Sequence, residues 1–200
     1  MFCNFVYDCP HGVADEATCP QLFTFDGCED LESCFWNEAV EDDLDWRLAT
    51  VAEAGESGPH NNIWEEDRDG KFLMIQNENQ QKSGTAEVIS PIYRDSGTDC
   101  YISFYVYINS SESAALYPEL RQVHQDQLTV TRLDRLDSEV TVAGQWTKVE
   151  VGVGRQRAQF SLGFSLHHGE AGAFSGAVAV DNFNLFDCTA GPPPQPECYR

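Results

Sequence analysis

The sequence predicts an all-β chain, a sandwich of two antiparallel sheets, and three observations carry that prediction. Apolar residues recur at period two: Ile102, Phe104, Val106 and Ile108 alternate with Tyr101, Ser103, Tyr105 and Tyr107, and Phe160, Leu162, Phe164 and Leu166 with Gln159, Ser161 and Ser165. No segment carries an i, i+3, i+4, i+7 apolar stripe, so crossover helices are not expected. Gly, Asn, Asp and Pro clusters punctuate the apolar runs, as turns between short strands require.

Taken in chain order, residues 1–20, "MFCNFVYDCPHGVADEATCP", are cysteine-dense and turn-rich with almost no apolar periodicity. They read as a separate small unit that needs cross-links or a metal to be ordered. From Gln21 onward the strand candidates are "LFTF", "RLATVA", "KFLMIQN", "TAEVISPI", "CYISFYVYI", "QLTVTRL", "WTKVEVGV", "AQFSLGFSL" and "GAVAVDNFNLF". "SAALYPELRQVHQ" is the one stretch with the look of a helical turn, interrupted by Pro118. About nine or ten strands without crossovers favour antiparallel pairing and two packed layers. The tail from 189 to 200, rich in proline, reads as a stiff extended linker, with Cys198 the first cysteine of a following module.

Composition narrows the function. The 200 residues carry 12 Lys+Arg against 33 Asp+Glu, a formal charge of −21, which repels polyphosphates and anionic headgroups and so argues against nucleic acid and acidic membranes as partners. Eight cysteines point to an oxidising compartment. There is no apolar run of roughly 18 residues, so direct membrane insertion is not expected. The start "MFCNFVYDCP" lacks a basic n-region and a long apolar h-region, so a secreted reading requires that the chain be an excised piece of a longer protein.

Chemical motifs are few. "HHGE" at His167–Glu170 is not HExxH and reads as a solvated hairpin turn. There is no GxSxG, P-loop or GxGxxG, and with so many acids a pair at glycosidase spacing carries no signal, so no enzyme is expected. "NSS" at Asn109 is a glycan acceptor pattern just after a strand. In "CFWNEAVEDDLDWRLATV", Trp36 and Trp46 bracket Glu38, Glu41, Asp42, Asp43 and Asp45 before Arg47, the first base. Asp45 and Asp181 stand among apolar neighbours, where an ionised carboxylate is costly without a partner. That partner is either a cation or an Arg such as Arg47, or else backbone N–H groups.

These residues carry a resemblance. "FTFDGCEDLESCFWNEAVEDDLDWRLA", "GKFLMIQ", "AEVISPIY", "CYISFYVYI", "QWTKVEVGV" and "GAVAVDNFNLFDC", from about Phe23 to Cys188, resemble the MAM domain in that order. The resemblance implies a jelly-roll sandwich over residues 21–188, an extracellular location and a non-catalytic role in adhesion or oligomerisation, with a protein ligand or a homophilic partner. It also implies disulfides Cys28–Cys34 and Cys100–Cys188, and a calcium-type cation near Asp26, Asp43, Asp45 and Asp181. The sequence departs from the family in "ESCFW" and in the polar stretch "NSSESAALYPELRQVHQDQ", which reads as a long variable loop. Residues 1–20 resemble the C-terminal half of an LDL-receptor class A repeat. This implies a Cys3–Cys19 bridge and calcium ligands at Asn4, Asp8, Asp15 and Glu16, with Cys9 and Cys198 left unpaired. Such neighbours occur in multidomain secreted proteins and in receptor tyrosine kinases similar to anaplastic lymphoma kinase. The alternative is glycan binding on the jelly roll, with Tyr105, Tyr107 or Trp64 as platforms.

Overall fold

The computed structural model describes residues 22–23, 25, 28–34, 36–39, 42, 44–61, 63, 70–77, 84–93, 95–110, 114–168 and 176–188. They form strands β1 (Leu22–Phe23), β2 (Asn37–Glu38), β3 (Arg47–Ala49), β4 (Phe72–Asn77), β5 (Thr85–Tyr93), β6 (Tyr101–Ser110), β7 (Ala114–His124), β8 (Gln127–Arg132), β9 (Trp146–Gly152), β10 (Phe160–His168) and β11 (Gly176–Phe186). A short 3-10 turn, Val51–Glu53, follows β3. Every strand pairing is antiparallel, and the strands divide into two sheets of a jelly-roll sandwich. One sheet has the order β3-β4-β11-β6-β9, with β1 taking over from β4 along the far end of β11; the other has the order β2-β5-β10-β7-β8.

The period-two alternation sets the core. Ile102, Phe104, Val106 and Ile108 of β6 meet Phe160, Leu162, Phe164 and Leu166 of β10 across the sandwich, all buried. At its centre Trp36 stacks on Phe164 at 6.1 Å and meets Phe183 edge-on at 5.4 Å, an arrangement worth about 0.5–1.5 kcal/mol per ring pair beyond area burial. The Cys100–Cys188 bridge closes the Tyr101–Phe186 end of the central β6–β11 pair, and Cys28–Cys34 closes the turn that leads into Trp36.

The six-stranded sheet is covered on part of its outward face as well as on its core face. Its outward side carries Ala49, Phe72, Met74, Tyr107, Ala177 and Ala179, whose small members let the segment after β3 lie flat upon it. That segment is tied down by the Tyr107 hydroxyl donating to the Gly58 carbonyl at 3.0 Å, by Gln76 Nε2 to Ala54 O at 2.9 Å, and by Trp146 Nε1 to Asn61 O at 2.9 Å. Gly58 is required there, since a Cβ would stand 2.3 Å from the Ala54 carbonyl oxygen. Burial on both sides explains why β11 reads as the near-continuous apolar run "GAVAV" rather than an alternation.

Two departures from the sequence reading follow. "AALYPELRQVH" is neither a helical turn nor a loop but strand β7, held between β10 and β8. Pro118 is tolerated because its carbonyl, which points the same way as its nitrogen, accepts from Leu133 N at 2.8 Å beyond the end of β8; no bond to β10 is lost. His167 and His168 likewise belong to β10 instead of a hairpin turn, because the β10–β7 ladder runs through His168↔Ala114.

Candidate functional site

The outward face of the five-stranded sheet has no described segment laid across it, unlike the partner sheet, part of which is covered by the residues after β3. β5 supplies Glu87, Ile89 and Ile92 to that face, β10 supplies Ser161, Gly163 and His167, β7 supplies Tyr117, Glu119, Arg121 and Val123, and β8 supplies Leu128, Val130 and Arg132. Ile92 is there because β5 carries one extra residue at Ser90–Pro91, which reverses the side on which later residues fall. Ser90 Oγ stabilises that bulge by accepting from Leu162 N at 2.9 Å and donating to Pro91 O at 3.0 Å. The consequence is an isoleucine that is 66% exposed beside Val123 at 65% and Leu128 at 55%.

A charged network fixes the middle of the face. Arg121 pairs with Glu87 at 3.0 Å and with Glu119 at 3.2 Å, and Arg132 reaches the other Glu119 oxygen at 3.7 Å. Beneath Arg121, Gly163 is required by the neighbouring backbone, since a Cβ there would stand 2.8 Å from the Val88 carbonyl oxygen. Burial pushes the Glu119 carboxyl above the ordinary Glu range, with Arg121 pulling it back. At the far end Arg132 lies 4.2 Å over the Tyr117 ring, and His167 meets Tyr117 edge-on at 5.2 Å. Burial and the Arg132 charge hold His167 below the ordinary His value, so its ring nitrogen Nε2, 2.7 Å from Arg132, serves as an acceptor.

Beside Arg121 a shallow groove of about 220 Å³ is lined by Ile89, Ile92, Val123, Leu128 and Phe160. Pockets for drug-sized ligands run to roughly 300–1,000 Å³, so this one suits an inserted side chain.

The predicted site residues fall elsewhere. Asp26, Asp43, Asn4, Asp8, Asp15, Glu16, Cys3, Cys19, Cys9, Cys198 and Trp64 lie outside the described residues. Asp45 is exposed, on the segment that crosses from β2 to β3, and so does not have the apolar surroundings expected of it. Asp181 is buried in β11 opposite Tyr105, where one extra residue forms a bulge with Asn182 at φ 52°. Its Oδ1 accepts the Asn182 N–H at 2.6 Å, the backbone partner that was one of the two alternatives. Arg47 donates to Glu53 O and Gln76 Oε1. The crossing itself is shaped by acids: Glu38 accepts the Trp46 N–H and Asp42 accepts the Glu87 N–H, so the tryptophans anchor the segment and the carboxylates hold its backbone. Among the described residues no group of three or more His, Cys, Asp or Glu is placed to hold a metal. Tyr107, with its ring buried, is no sugar platform, and Tyr105 is half-buried. Asn109 lies within β6 rather than just after a strand, and its Nδ2, the atom that would carry a glycan, donates to Ser57 O at 2.9 Å. Among the described residues no helix is long and apolar enough to cross a membrane.

The geometry defines a rigid all-β scaffold with one open, partly apolar sheet face. Comparison with known proteins places it further. The sequence model of the MAM domain family, meprin/A5/mu, matches residues 24–190, and the chain belongs to that family of extracellular interaction modules. Similar solved structures share the fold at low identity. The K1 cleaved adhesin domain of Lys-gingipain from Porphyromonas gingivalis matches with a TM-score of 0.55 at 12% identity, over 82% of this chain and 96% of that one. The CBM22-1-GH10 modules of Clostridium thermocellum xylanase 10B, complexed with xylohexaose, match with a TM-score of 0.50 at 14% identity, over 86% of this chain and 28% of that one.

Proposed function

We propose that this chain is a non-catalytic extracellular recognition module that binds a protein partner through the outward face of its five-stranded sheet. The observation that carries the reading is the exposed apolar group Ile92, Val123, Leu128 and Val130 around an arginine held in place by two carboxylates. A fixed Arg with an apolar surround that excludes water, beside a small pocket on a sheet face, suits a protein interface. The −21 charge steers a basic partner, so association slows as salt rises. In the same reading residues 1–20 are the end of an LDL-receptor class A repeat and 189–200 a linker within a multidomain secreted protein or a receptor similar to anaplastic lymphoma kinase. A glycan on Asn109 and calcium bound around Asp45 belong to the reading as well.

Glycan binding is the second reading, and Tyr117 on the same face is what favours it, together with the xylohexaose complex of the similar structure. Against it, Arg132 covers one side of the Tyr117 ring. The test is a panel of ectodomains and a glycan array probed with the chain and with Val123→Lys/Leu128→Glu, which removes both apolar side chains from exposed positions and leaves opposite charges facing each other across the β7–β8 pair, so the fold should be kept. Loss of a bound ectodomain in the variant is expected. Selective glycan binding that Tyr117→Ala abolishes, with no ectodomain bound, would replace this reading by the lectin one.

A further inference from the structure

We propose that β8 is a pairing edge through which two copies of this chain associate, antiparallel β8 against β8, joining their five-stranded sheets into one ten-stranded face. The proposal rests on the recognition reading and names a partner for it. Among the described residues five strands stand at sheet edges, and four are unsuited to pairing; β1 has only two residues. β2 and β3 have two and three residues, and β9 carries the exposed Lys148–Glu150 pair at 2.7 Å, the kind of charge that blunts an edge. β8, "QLTVTR", is exposed along all six residues, has no Pro, Gly or acid, and carries its one charge at the end.

The hydrogen-bond pattern shows which residues are available. Gln125 and Asp126, at φ 49° and 62°, make a two-residue hairpin turn, so His124 and Gln127 form the hydrogen-bonded closing pair. Gln127, Thr129 and Thr131 therefore direct their N–H and C=O groups to β7, and Leu128, Val130 and Arg132 direct theirs to the open edge. A two-fold axis at Thr129 sets Leu128 opposite Val130 of the second copy and Asp126 opposite its Arg132. That register keeps both outward faces on the same side and pairs the edge-directed residues with one another.

Charge selects the same place. In a chain of −21, residues 121–133 hold two arginines and one aspartate, so repulsion between copies is weakest there, and each Asp126 finds the opposite sign across the axis. Val123, Leu128 and Val130 stand on the face beside this edge, so pairing would make the two apolar grooves continuous.

The test is sedimentation equilibrium of the oxidised chain with three variants. Val130→Pro removes an N–H that points to the open edge and none used inside the hairpin, so it should weaken dimerisation by about tenfold or more, with a melting temperature equal to the parent's at dilutions where both are monomeric. Thr129→Cys should give a cross-linked dimer on a non-reducing gel, because residues opposite at a non-hydrogen-bonded pair come within bonding reach, whereas Val130→Cys should not. A chain that stays monomeric, or a dimer that Val130→Pro leaves intact, would overturn the proposal. If such a monomer still captured an ectodomain through Val123 and Leu128, the recognition reading would stand without self-pairing. A β8-dependent dimer that captured no ectodomain would support the pairing and confine recognition to self.

Discussion

Glu38 and Asp42 both hold their protons more tightly than ordinary carboxyls, chiefly because burial disfavours the charge, while the hydrogen bonds from Trp46 and Glu87 oppose the shift and the nearby Asp45 adds to it. Among the described residues no salt bridge reaches these three acids. Carboxylate oxygens are the ligand type calcium takes, but among the described residues these three are not placed together as a ready metal site and two of them already accept a backbone N–H, so the calcium of the proposed reading competes with a purely structural role. Asp45→Asn separates the roles. In chelator the substitution removes only repulsion and should stabilise by about 0.5 kcal/mol, the scale of exposed charge pairs. In calcium the parent chain should gain about 2.7 kcal/mol at a hundredfold excess over the dissociation constant, and the variant should lose most of that gain. Melting curves of both proteins in chelator and in excess calcium decide the matter. A parent curve that calcium leaves in place would mean the acids act on the backbone alone.

Among the elements, those that alternate were legible from local pattern. β6 and β10 show one apolar face each, and both faces lie in the core. β7 was harder, because Pro118 and the run "SAALYPELRQ" suit a broken helical turn as well as a strand; the alternation of Leu116, Pro118 and Leu120 with Tyr117, Glu119 and Arg121 is the signal that would have found it. The open face could not be read, since it depends on which β10 residue meets which β7 residue and on a bulge at Ser90–Pro91 that turns Ile92 outward. The acids were conspicuous as a cluster, but their hydrogen bonds to Trp46 and Glu87 depend on long-range placement. Disulfide pairing was implied by family resemblance, and its energetic weight follows from topology. Cys100 and Cys188 are separated by 88 residues in sequence yet close adjacent strand ends, so the bond restricts a long loop of the unfolded chain. Replacing both by alanine should cost about 4–5 kcal/mol in the chain-entropy account, against about 2 kcal/mol for the six-residue Cys28–Cys34 loop. Urea unfolding of the two double variants checks the order, and equal losses would place the effect in native packing instead.

For the whole molecule, charge and pH act together. At −21 the folded chain repels itself, and Glu38, Asp42 and Glu119 each ionise less readily folded than unfolded. A carboxyl with a raised folded value binds more protons in the native state, so its contribution to stability falls as pH rises from the ordinary Glu value of 4.5 through the folded value. Lowering pH from neutral toward that window should therefore stabilise the chain. His167 acts oppositely: its folded value is depressed, so the stability it contributes is present above the ordinary 6.5 and is lost as pH falls through the folded value. The expected outcome is a melting temperature that changes little from pH 7.5 to 6, where His167 offsets the relief of repulsion, and then rises toward pH 5. His167→Gln should restore the rise in the upper range. High salt screens the surface charges but reaches buried Glu119 far less, so the gain toward pH 5 should shrink in salt without vanishing. Melting temperatures over this range at low and high salt test it, and a steady fall on acidification would show that lowered carboxyls such as Glu53, whose charge accepts from Thr50, outweigh the raised ones.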